Sequence, residues 1–194
     1  MVSCKSYEVY TPKMLDAKLA FNPYTFLHVI NPGYKYHKQD LSGELRFKLV
    51  HNRYLEFKEN EIFTQDKTPA FYIYQKITPT KSFCGIIAAA AVADSHNNVI
   101  KKHEGTLRKR ELLFENYLKN TGFSAEPVLL TYPDNAIVTA IVKKYTQGRA
   151  EYEFSTTDKN SHVLWLINDP NDIERITTAF KEIDTLYIAD GHHR

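Results

Sequence analysis

Hydrophobic residues along the chain follow two rhythms. In the first they recur every three or four positions, the spacing of one face of a helix. Phe47, Val50, Tyr54 and Phe57 predict an amphipathic helix over residues 39–59. Leu113 with Tyr117, and Phe114 with Leu118, predict a second over residues 107–118, with "RKRE" as its solvated face. Ile137, Ile141 and Tyr145 mark a third, and Ile173, Ile176, Phe180 and Ile183 a fourth. The fourth opens on Asp169 as a cap, with Pro170 at its first position. In the second rhythm, short apolar runs end at turn residues, as strands do. "TFLHVI" (25–30) is closed by "NPG", and "AFYIYQKI" (70–77) is rich in aromatic and β-branched residues. "FCGIIAAAAVAD" (83–94) reads as a buried strand, followed by a turn at "HNN". "EPVLLTYPD" reads as a strand and turn, "AEYEFST" and "HVLWLIND" as a strand pair, and "TLYIA" as the last, buried strand. Hairpin-like pairs are mixed with strand–helix–strand units. The fold class expected is α+β, a mixed sheet with flanking helices.

Length and composition narrow this little. The 194 residues suit a single domain or two closely packed lobes, and no repeat or composition break marks a boundary. Tyr and Phe number 13 and 11 against only 7 Gly, which favours packed regular structure over linkers. A net charge of +2 is too small to argue for nucleic acid. Cys4 and Cys84 make no disulfide framework and read as reduced thiols. "GIIAAAAVA" is too short to span a membrane, and "MVSCKSYEVY" has no signal-peptide core. The expected compartment is the cytoplasm.

Two polar stretches could carry chemistry. In "LYIADGHHR" the apolar run gives way to Asp190, Gly191, His192, His193 and Arg194. Glycine lets a backbone turn and lets a ligand approach it. The guanidinium fork of Arg194 suits phosphate oxygens, and the histidines add donors that Asp190 can orient. An anion site and a plain polar turn both fit these residues. In "KKHEGT", His103 and Glu104 put a possible general base beside an imidazole, or simply occupy a turn before a helix. If the two stretches met, His103, Glu104, Asp190 and His192 could form a metal cluster; the expectation is that no metal is held. No "GxxxxGK[ST]", "GxGxxG" or "GxSxG" occurs.

Taken in order, "NPYTFLHVINP", "PAFYIYQ", "GIIAAAAVAD", "VIKKHEGT", "EPVLLTYPDN", "HVLWLINDPNDIERI" and "LYIADGHHR" resemble a widespread bacterial and archaeal family known as a domain of unknown function. Its "DGHHR" is in turn similar to the Gly-x-x-Arg phosphate-binding signature of the ParB/sulfiredoxin-like fold, to which free-serine kinases belong. The resemblance implies a ParB/sulfiredoxin-like nucleotide-binding element near the C-terminus. ATP or ADP with Mg²⁺ would be held by Asp190, Gly191, His192, His193 and Arg194. Glu104, with His103 beside it, would act as base on a small-molecule substrate such as an amino acid. A ParB-like binding module without enzymatic activity, or a metal-binding protein, are the alternatives. The chain lacks a basic excess and a helix-turn-helix after the motif, which argues against nucleic acid. Family members usually begin with a segment like "RPxxYDVxS"; here only "SYEVYT" remains, with Glu8 where Asp is expected. Members also continue past "DGHHR", so the chain is expected to be part of a longer protein. The sharpest geometric expectation is that Glu104 and the turn at residues 190–194 share one side of one sheet, with "GIIAAAAVA" an interior strand nearby.

Overall fold

The structure, a computed structural model, describes residues 2–6, 9–36, 42–102, 105 and 107–191. These fall into two compact units. One comprises the described residues of 2–65 and 107–126; the other comprises 66–105 and 127–191.

The first unit is helical. Helix α1 (Pro12–Phe21) starts on Thr11, whose hydroxyl accepts from Met14 N–H at 3.3 Å, with proline at the first position. Helix α2 (Leu27–Ile30) leads into a 3₁₀ turn at Pro32–Tyr34, and α3 (Gly43–Glu59) follows. "TFLHVI" is therefore helical at its end and not a strand. Leu27 and Val29 are fully buried and His28 nearly so; consecutive positions of this short helix are buried, and it carries no helical period. Asn31 closes the turn, its amide donating to the Leu27 carbonyl at 3.1 Å. Val29, Val50 and Phe57 form the core with Phe26, Tyr54, Ile62, Phe63 and Phe123 around them.

Later in the chain α4 (Val92–His96) is a single short helix of the other unit. Helix α5 (Arg108–Thr121) returns to the helical unit, where its C-terminal carbonyl at Thr121 accepts from His51 Nδ1–H at 2.8 Å. Its packed side runs through Phe114 and Tyr117, the latter edge-on to Phe47. The expected partners Leu113 and Leu118 are 55% and 42% exposed, so the apolar face is narrower than the spacing suggested.

The second unit holds two sheets. β1 (Phe71–Ile77), β2 (Ser82–Ile87), β5 (Tyr152–Ser155) and β6 (Ser161–Ile167) form an antiparallel sheet in the order β2-β1-β6-β5. Alternation puts Ile73, Val163, Trp165 and Ile167 on one face. Helices α6 (Ala136–Thr146) and α7 (Pro170–Lys181) cover that face with Ile141 and Ile176. Both helices are capped, α7 by the Asp169 that the sequence suggests and α6 by Asn135. Asn135 Oδ1 accepts from Ile137 and Val138 N–H, and Asp169 Oδ1 accepts from Asn171 N–H.

The second sheet is small and mixed. β3 (Ile100–Lys101), β7 (Leu186–Asp190) and β4 (Leu129–Thr131) lie in the order β3-β7-β4, with β3 parallel and β4 antiparallel to β7. The α+β class holds. Two expectations do not. The stretch at 83–94 is an edge strand ending at Ile87, followed by exposed residues 88–91 and then α4. Its alanines do not extend the strand because they have too little side chain to bury against a sheet face. It also belongs to the four-stranded sheet, whereas "TLYIA" lies at the centre of the other. Nor is "TLYIA" buried throughout: Ile188 points inward, and Tyr187 and Ala189 are exposed.

Candidate functional site

β7 delivers Asp190 as its last residue and Gly191 immediately after. Gly191 has φ 87°, a left-handed conformation that a side chain would strain, so the glycine of "DGHHR" is needed for the chain to turn here. Asp190 pairs with Leu129 of β4, and the register shifts between Leu129 and Leu130. This bulge sits beside the strand end, where bulges commonly re-aim side chains. On the other flank, Ile100 pairs with Leu186 and Lys101 with Tyr187. The Leu186 N–H donates to the Val99 carbonyl at 2.8 Å. Because β3 and β7 run parallel, both exit in the same direction, β3 after Lys101, level with Tyr187, and β7 three residues later after Asp190.

His103, Glu104, His192, His193 and Arg194 lie outside the described residues. Among the described residues no group of three or more His, Cys, Asp or Glu side chains is placed to hold a metal.

One row of side chains went unnoticed in the sequence. Lys101, Tyr187 and Thr131 stand in register across the three strands. Lys101 Nζ lies 6.0 Å from the centre of the Tyr187 ring, and the Thr131 hydroxyl donates to the Tyr187 carbonyl at 3.4 Å. Its only sequence signal is a tyrosine in an otherwise aliphatic strand.

A second polar centre joins α6 to α7. Asp172 is buried, and its carboxylate accepts from Lys144 Nζ at 2.6 Å, Tyr145 Oη at 3.1 Å and Arg175 Nη1 at 3.3 Å. The bond from Lys144 holds the Asp172 carboxyl below its ordinary range, helped by Tyr145 and by the charges of Lys144 and Arg175. With Lys144 and Arg175 both turned onto it, this carboxylate pins two helices and is not poised to accept a proton. An open depression of about 280 Å³ beside it is lined by Tyr145, Arg149, Trp165 and Asn168 among others, and by neither Asp190 nor Gly191.

With this geometry in view, the chain belongs to the family described as "Protein of unknown function (DUF1015)", which matches it over residues 1–194. Comparison with curated proteins and with solved structures finds no match. Among the described residues no helix is long and apolar enough to cross a membrane.

Proposed function

We propose that the chain is the nucleotide-binding part of a phosphotransferase, a small-molecule kinase of the free-serine type. What supports this reading is the parallel pairing of β3 with β7. The strand that runs into "KKHE" pairs with the strand that runs into "DGHHR" and points the same way, its last residue, Lys101, level with Tyr187. Ligands of open sheets gather at such strand ends, where polar loops converge.

In this reading the backbone at Gly191, with His192, His193 and Arg194, cradles the phosphates of ATP or ADP, and Asp190 orients an imidazole. Mg²⁺ arriving with the nucleotide neutralises phosphate charge. The substrate hydroxyl oxygen attacks the terminal phosphorus, the bond from that phosphorus to the leaving nucleotide oxygen breaks, and Glu104 takes the hydroxyl proton. Phosphoryl transfer needs mainly positioning and charge stabilisation, so a few cationic groups and one base suffice.

Titration calorimetry with Mg-ADP tests the cradle. Arg194→Ala is expected to weaken binding at least tenfold, the worth of one charge-assisted bond. Unchanged affinity would sink the phosphate role. Glu104→Gln is expected to keep binding and lose transfer to serine or a related hydroxyl compound.

A further inference from the structure

We infer that the exposed face of the three-stranded sheet binds the base of that nucleotide, with the Tyr187 ring as its stacking surface. The inference rests on the phosphate reading of the turn at residues 190–194, and adds a second subsite to it.

The starting point is a half-exposed aromatic ring on the central strand of a small sheet. Tyr187 sits on the central strand and is 49% exposed, while its neighbour Ile188 points into the core at 8%. An exposed ring at the middle of a sheet offers a π face to a ligand, and a cation, Lys101 Nζ, already lies over this one at 6.0 Å. Lys101 on β3 places its ammonium over the ring, and Thr131 stands in register on β4 with its hydroxyl bonded to the Tyr187 carbonyl, so a cation and a hydroxyl oxygen lie close to it. These groups suit the polar edge of a heteroaromatic base better than a purely apolar group.

The path from ring to turn also fits. Strand alternation puts Ala189 on the same face as Tyr187, and Ala189 is exposed. Gly191 follows at the strand's end. Along β7 itself, the side chain between ring and turn on this face is a methyl group. Four residues of strand separate the Cα atoms of Tyr187 and Gly191 by about 13 Å, a span that a nucleoside diphosphate bridges from base to terminal phosphate. A ligand with its phosphates at the turn and its tail over Ala189 brings its base to Tyr187.

The test compares Mg-ADP with Mg-pyrophosphate, which carries the phosphates without the base. Wild-type protein is expected to bind ADP more tightly. Tyr187→Ala should lower ADP affinity about tenfold, a typical worth of one base–aromatic stack, and leave pyrophosphate affinity unchanged. Tyr187→Phe should keep most of the ADP affinity, because the ring remains. Thermal melts of both variants check that they fold, as expected for an exposed position. Equal wild-type affinity for the two ligands, or equal losses for both in Tyr187→Ala, overturns the base subsite. If pyrophosphate binds and Arg194→Ala abolishes it while Tyr187→Ala leaves the ADP preference intact, the cradle stands and the base subsite falls. If wild-type protein binds neither ligand, both readings fall.

Discussion

The two sheets of the second unit are built to different standards. β1 and β6 pair over seven residues, and one face of their sheet is closed by α6 and α7 around Ile73 and Ile167, both fully buried. β3 and β7 pair over two residues, and the small sheet buries little beyond Ile100 and Ile188. Hydrophobic burial scales with covered apolar area, so the first sheet carries most of the stability. The second has polar or exposed side chains at Lys101, Thr131, Tyr187 and Asp190. Segments that meet ligands are drawn from the less stable parts of a fold. The contrast assigns scaffold to one sheet and candidate site to the other.

The strongest way to break this contrast is by truncation in each sheet. Ile73→Ala leaves a cavity against Ile141, Val163 and Ile176 and should cost about 3–4 kcal/mol of unfolding free energy. Ile188→Ala should cost about 2 kcal/mol, at the low end for such changes. Urea unfolding measures both. Equal losses would mean that the small sheet is as tightly held as the large one, and the division of labour would collapse.

The Asp172 clamp gives a smaller effect with a pH signature. Its folded carboxyl titrates below the unfolded value near 4. The stabilisation is therefore complete above about pH 4 and is lost as pH falls through the folded value. Asp172→Asn should cost about 1.5–2 kcal/mol at neutral pH, the low end for a charge-assisted bond. It should also flatten the acid limb of melting temperature against pH. An acid limb equal to that of the wild type would mean that the clamp contributes nothing beyond packing.

Gly191→Ala probes the other sheet with a still smaller effect. Its left-handed φ of 87° should make alanine cost about 1 kcal/mol. The loss should show in ligand binding at the turn more than in the unfolding midpoint of the large sheet. A midpoint shift as large as that of Ile73→Ala would contradict the assignment.

How much of this was legible in the sequence depends on what each residue was packed against. The helices with one buried side were readable because burial on one side leaves a period: Val50 and Phe57, or Ile176 with its cap at Asp169, are spaced by it. "TFLHVI" was misread because a short helix buried at consecutive positions has no period to detect. "GIIAAAAVAD" was misread because alanine is apolar without being large, and the strand stops where the side chains stop being able to pack. The turn was legible as a turn: Gly191, at φ 87°, directly follows the last residue of the strand. What it stands beside was only half legible. The pairing of Lys101 with Tyr187 comes from a parallel register between strands 86 residues apart, which no local pattern encodes. The clamp at Asp172 left no local pattern, because its partner Lys144 lies on another helix.

The smallest effect concerns the uncovered face of the large sheet. His162 stacks on Phe154 at 4.9 Å and shares a 2.7 Å hydrogen bond between its Nδ1 and the Tyr74 hydroxyl. Lys76 faces it across the β1–β6 pair, and Asp158 lies in the turn before β6. Burial among these rings lowers the affinity of His162 for a proton, the Lys76 charge lowers it further, and Asp158 opposes both. A histidine that titrates lower when folded than when unfolded stabilises the fold above its unfolded value, near 6.5. That contribution is lost as pH falls through the folded value. The wild type should therefore lose a little stability between pH 7.5 and 5, a window well above that of Asp172. His162→Phe keeps the stack and removes the titration, so its melting temperature should be flatter over the same range. If the two proteins show the same slope there, the ring is hydrated enough to protonate without penalty. The outer face would then be wetter than its aromatic content implies, and the two sheets would differ less than their cores suggest.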